Sequence, residues 1–75
     1  MRNGFPTRQT VERLRREYPK GTRVELVSMD DAQAPPPGTK GTVIWVDDIG
    51  TIHVNWENGS GLGVAYGEDS CRRVE

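Results

Sequence analysis

GTVIWVDDIGTIHVNWENGSGLGVAYG, residues 41–67, carries the clearest periodicity in the chain. Its apolar side chains fall on alternate positions: Val43 and Trp45, then Ile52, Val54 and Trp56, then Leu62, Val64 and Tyr66. A period of two places each set on one face of a pleated strand, so the stretch predicts three short antiparallel strands with a shared buried side. Ile44 and Val46 fall on the opposite face from Val43 and Trp45. Between the runs stand Asp47-Asp48-Ile49-Gly50 and Glu57-Asn58-Gly59-Ser60. Asn-Gly accepts positive φ at both centres of a type I′ turn, which predicts the second hairpin most strongly.

Working back toward the start, Phe5-Pro6 leads into Thr7, a good helix N-cap. Residues 7–18 are mostly helix formers, with Val11, Leu14 and Tyr18 at i, i+3 and i+7, so one narrow apolar stripe predicts an amphipathic helix stopped by Pro19-Lys20-Gly21. A helix this short is marginal alone, and its stripe needs the sheet or another molecule to cover it. Arg8 with Glu12, and Glu12 with Arg16, are i, i+4 ion pairs. TRVELVSM, residues 22–29, alternates Val24 and Leu26 against Glu25 and Val27 and reads as the first strand. DDAQAPPPG, residues 30–38, follows as a stiff loop, because consecutive prolines donate no ladder hydrogen bonds and favour a polyproline II path. Gly41 stands where a strand of a tight barrel bends or is closely approached. The tail, residues 68–75, suits one turn of helix and a last short strand around Cys71 and Val74.

The totals narrow the function. At 75 residues the chain makes one domain, near the size where a single core supplies only about 3–5 kcal/mol. That leaves no room for a buried active-site cleft. Apolar content of 33% and a mean hydropathy of −0.70 are low, and 9 Gly and 5 Pro suit many turns around short strands. No apolar run approaches the roughly 18 residues a membrane span needs, and MRNGFPTRQT lacks the apolar core of a signal peptide, so the chain is expected in the cytosol. Cys71 and His53 are single, which rules out an internal disulfide and a zinc site of familiar spacing. Neither lies in a motif that activates a thiol, and no cofactor is implied. The glycines at 59, 61 and 63 lack the lysine and following helix of a phosphate loop. Net charge is −1, yet residues 1–23 hold seven bases against two acids and residues 24–75 three bases against nine acids. The basic lead segment can meet phosphates, lie against the acidic body, or pair with a second copy head to tail.

Two candidate surfaces follow. The first joins Asp30, Asp31, Pro35, Pro36 and Pro37 to Trp45, with Tyr66 at its edge, as a contact for a peptide or protein. The Asp pairs also read as ordinary turn formers, and Trp45 as an aromatic that the sheet leaves exposed. Trp56 reads as core, and His53, between Ile52 and Val54, as a side chain facing out. The rival surface is Arg13, Arg15 and Arg16 as phosphate contacts of a nucleic-acid-binding helix, though without interleaved aromatics for base stacking.

A strand, a long loop, G-T-V, a hairpin, W-E-N-G-S and a final Y-G-x-D resemble in order a small SH3-like barrel. RVELVSMDD, APPPGTKGTV, VDDIGTIHVNW, NGS and YGEDSCRRV more closely resemble the bacterial and phage-borne family known as domain of unknown function 4314, often found on mobile elements. That match runs from about Arg23 to Val74, with the helix outside it. Gly21-Thr22-Arg23-Val24, Gly41-Thr42-Val43, the run from Val54 through Ser60, and Tyr66 are loosely similar to the barrel of the mind bomb and HERC ubiquitin ligases, which binds peptides. The resemblances imply a mainly β chain with a five-stranded SH3-like barrel over residues 22–75, which the residues themselves set behind a basic amphipathic helix in residues 1–21. The expected role is an interaction module without chemistry of its own, and the looser resemblance implies peptide binding.

Overall fold

In the computed structural model, which describes residues 6–74, one helix precedes four strands. The helix α1 spans Arg8–Glu17, and the strands are β1 Arg23–Ser28, β2 Lys40–Val46, β3 Ile52–Trp56 and β4 Ser70–Arg73. Thr7 caps α1, its Oγ1 accepting from the Thr10 N–H at 3.1 Å. At the other end the Tyr18 N–H donates to the Leu14 carbonyl at 2.8 Å, and Pro19 follows, which cannot continue the pattern. Val11 and Leu14 are buried and Tyr18 half-buried, so the apolar stripe turns inward.

The strands form one antiparallel sheet in the order β3-β2-β1-β4. Leu14, Val24, Leu26, Val43, Val46, Ile52, Val54, Trp56 and Val64 make a single hydrophobic cluster. Helix and sheet therefore share one core. Residue 41 of β2 has to be glycine: a Cβ there would stand 2.6 Å from Val54 Cγ1, 2.8 Å from Trp56 Cε3 and 2.9 Å from the Asn55 carbonyl.

Three expectations are corrected. A closed five-stranded barrel is not formed; the sheet has four strands and stays open, because the expected fifth strand shrinks to one bridge, Val64 with Ile52. Its sequence, GSGLGVAYG, is too glycine-rich to hold a longer ladder unaided. The second hairpin turn is not type I′. No residue other than glycine has positive φ among those described; Gly59, at φ 92, is the third residue of a loop that the bond from Trp56 N–H to the Ser60 carbonyl closes. That is a type I turn plus a left-handed residue, and the loop ending in Gly50 repeats it, with Asp47 N–H on the Thr51 carbonyl. Lastly, period two fails within β2. Val43 faces Val54 but Trp45 faces His53, so Ile44 is an extra residue and the register shifts. Val43 and Val46 are thus the buried pair, while Ile44 and Trp45 are both exposed.

Candidate interaction surface

The bulge does more than bend a strand. It places two large apolar side chains side by side on the outside, Ile44 47% and Trp45 53% exposed. Trp45 is nevertheless held in place. Its ring stacks on His53 across the β2–β3 ladder, with centroids 5.2 Å apart and planes 15° from parallel. His53 Nε2 in turn lies 2.8 Å from Asp47 Oδ2, and Asp47 Oδ1 accepts from the Ile49 and Thr51 N–H groups at 3.1 and 2.9 Å. Partial burial is the largest influence on the Asp47 carboxyl and pushes it up, but the bonds from His53, Thr51 and Ile49 together hold it below the ordinary range. A depressed acid stabilises the fold above its unfolded value, and that contribution disappears as pH falls through the folded one. Protonating Asp47, at a pH below the ordinary carboxylate range, should therefore loosen its hold on His53 and, through it, on Trp45.

Beside Trp45 lies a shallow groove of about 340 Å³, lined by Arg15, Tyr18, Pro19, Lys20, Ile44 and Val46. Arg15 forms one wall and fixes the helix to the hairpin. Its Nε donates to the Val46 carbonyl at 3.1 Å and its Nη2 meets Asp48 Oδ1 at 2.7 Å. Lys20 supplies a cation at the rim. An anchored aromatic, a neighbouring aliphatic and a basic edge can hold an apolar side chain of another molecule.

The residues expected to form one surface are divided. The loop of residues 30–38 enters β2 at Lys40, five residues before Trp45, which is roughly 17 Å along an extended strand. Asp30, Asp31, Pro36 and Pro37 are exposed at that far end, whereas Pro35 is buried and belongs to the loop's packing. Asp31 acts as a turn former, its Oδ1 accepting from the Gln33 N–H at 2.8 Å, whereas Asp30 contributes its backbone N–H, which donates to Asp69 Oδ1 at 2.8 Å. Tyr66, 40% exposed, sits against the hairpin, 3.4 Å from where a Cβ on Gly50 would stand.

The arginines are also divided. Arg15 is engaged as described, Arg13 pairs with Glu17 at 3.6 Å, and Arg16 is exposed. Arg8 and Glu12 approach to 3.9 Å. The stack of Trp45 on His53 and the reach of Arg15 to Asp48 escape a reading of spacing, although Asp47 two residues after Trp45 and an isolated histidine opposite in the hairpin are the signals that could have found the stack.

Cys71 is half-buried, and burial pushes its thiol up to about 11. A raised acid adds stability that is complete below the unfolded value of about 8.5 and is lost as pH climbs toward 11. Iodoacetamide at about pH 8 should accordingly alkylate Cys71 in the folded chain at least about tenfold more slowly than in the urea-unfolded chain. Equal rates would show an accessible thiol.

A family model described as Domain of unknown function (DUF4314) matches residues 7–74. The match takes in α1, which the resemblance placed outside it, in keeping with Leu14 sitting in the same cluster as the sheet residues. No curated protein and no solved structure matches the chain. No helix among the described residues is long and apolar enough to cross a membrane.

Proposed function

The chain belongs to the DUF4314 family, and from that premise we propose that it is a non-catalytic interaction module which binds a peptide or protein partner through Ile44 and Trp45. The observation that carries this reading is the β2 bulge, which turns both side chains outward while His53 and Asp47 hold the indole still. A rigid exposed aromatic loses little conformational freedom on binding, which is what distinguishes an anchor from an incidental surface residue. Lys20 and Pro19 extend the contact on the helix side. In this reading the open sheet is a variant of the SH3-like barrel, and the host is a bacterial or phage-borne element whose product works in the cytoplasm. Asp30, Asp31, Pro36, Pro37 and Tyr66 lie outside the primary contact.

The test is affinity capture from bacterial extract with the wild type, Trp45→Ala and Val27→Ala, the last removing an apolar side chain 47% exposed on β1. Trp45→Ala should lose the captured proteins, keep its melting temperature within a few degrees, and so behave unlike Val27→Ala, which should keep both. Identical capture by all three contradicts the reading. So does recovery of nucleic acid that salt releases and that Arg13→Glu with Arg16→Glu abolishes.

A further inference from the structure

A second surface lies where the sheet fails to close, past Tyr18, whose side chain lines both this groove and the one beside Trp45. Among the described residues β4 is bonded on one side only, to β1. The ladder fixes which backbone groups are left over. Val74 N–H donates to the Arg23 carbonyl at 2.9 Å, and Leu26 uses its own N–H and carbonyl on Thr39 and Gly38 of the β2 side. Antiparallel alternation then turns the N–H and C=O of Arg72 and Val74 toward β1, and those of Cys71 and Arg73 away from it. Among the described residues no backbone hydrogen bond outside the ladder reaches Cys71 or Arg73. The edge borders a groove of about 210 Å³ whose lining includes Leu14, Tyr18, Ile52, Val64 and Cys71. Among the described residues nothing fills it where a closed barrel would join its last strands.

We propose that this edge accepts an extended acidic peptide segment as an added strand, with backbone bonds to Cys71 and Arg73 and one apolar side chain in the groove beside Tyr18. The charge of the edge selects the occupant. Arg73 touches only the Glu17 carbonyl, at 3.3 Å, and meets no carboxylate among the described residues, while Arg72 is paired with Glu25 at 2.8 Å and Arg13 stands on the same flank of α1 as Glu17. A second copy of this chain would bring Arg72 and Arg73 against their own counterparts, and like charges directly opposite in a ladder repel. A segment carrying Asp or Glu there gains an ion pair in addition to the backbone bonds. This site does not depend on Trp45.

The experiment selects peptides from a displayed random twelve-residue library on the immobilised full chain, then titrates the recovered peptides into labelled protein by NMR. The result expected is recovery of acidic sequences that shift the amides of Cys71 and Arg73 and leave those of Ile44 and Trp45 in place. Arg73→Pro removes an outward N–H without breaking the β1 ladder and should weaken binding about tenfold, the equivalent of one lost backbone bond. Arg73→Glu should weaken it with the backbone intact, which keeps the test decisive if the proline variant folds poorly. Trp45→Ala should bind as the wild type does. The proposal is overturned if no acidic peptide is recovered, if the shifts map to Trp45, if both Arg73 variants bind unchanged, or if sedimentation shows the free chain to be a dimer paired through β4.

Discussion

Trp56→Ala leaves most molecules unfolded at room temperature. The indole is 2% exposed, joins the single hydrophobic cluster, and donates from Nε1 to the Leu62 carbonyl at 2.8 Å. Truncating a buried tryptophan costs about 3–5 kcal/mol through the transfer and cavity terms together. It also orphans the carbonyl that ties the glycine-rich segment after β3 to the sheet. A domain of this size holds only about 3–5 kcal/mol in total, so the loss matches the whole of its stability. Near-ultraviolet circular dichroism and a urea titration read the outcome. A cooperative transition with an unchanged midpoint would contradict the placement of Trp56.

Gly41→Ala comes next in size. The added Cβ would meet Val54 Cγ1 at 2.6 Å, Trp56 Cε3 at 2.8 Å and the Asn55 carbonyl at 2.9 Å, and the last is backbone that no rotamer change can move. Strain of this kind costs about 1–3 kcal/mol, here at the upper end because β3 must separate from β2. Gly61→Ala is the internal control. A Cβ there meets nothing within 4 Å and the residue lacks a positive φ, so its stability should stay within about 0.5 kcal/mol of the wild type or rise slightly. Two Gly→Ala changes of identical chemistry then differ only by what surrounds them. Similar urea midpoints for both would show that β2 and β3 do not pack as closely as described.

Some of this molecule is legible in its sequence because local physics determines it. Thr7, Val11, Leu14 and Pro19 define α1 by capping, period and termination, and Ile52, Val54 and Trp56 mark β3 by alternation. Gly50 and Gly59 end their hairpin loops for want of a Cβ. What escapes is determined by partners distant in sequence. A bulge is a choice of register, and nothing near Ile44 announces that Val43 pairs with Val54 while Trp45 pairs with His53. That one shift decides whether Trp45 is core or surface. Closure of a barrel likewise depends on whether residues 61–67 pair along their length, and their alternation of Leu62, Val64 and Tyr66 resembles a strand although only Val64 makes a bridge. The contact surface read from the sequence joined residues that are close in the chain, yet Pro36 and Trp45 stand at opposite ends of the strand between them. Arg15 looked like a phosphate ligand because its partner, Asp48, lies 33 residues away.

The two tryptophans have opposite roles, Trp56 building the core and Trp45 exposed on β2. Acrylamide quenching of the native chain measures this directly, comparing wild type with Trp45→Phe. The wild type should show one readily quenched and one shielded component, with Trp45→Phe losing the quenched component and leaving blue-shifted, protected emission. A quenchable component that survives in Trp45→Phe, or a wild type in which both indoles are equally shielded, would contradict that assignment of roles.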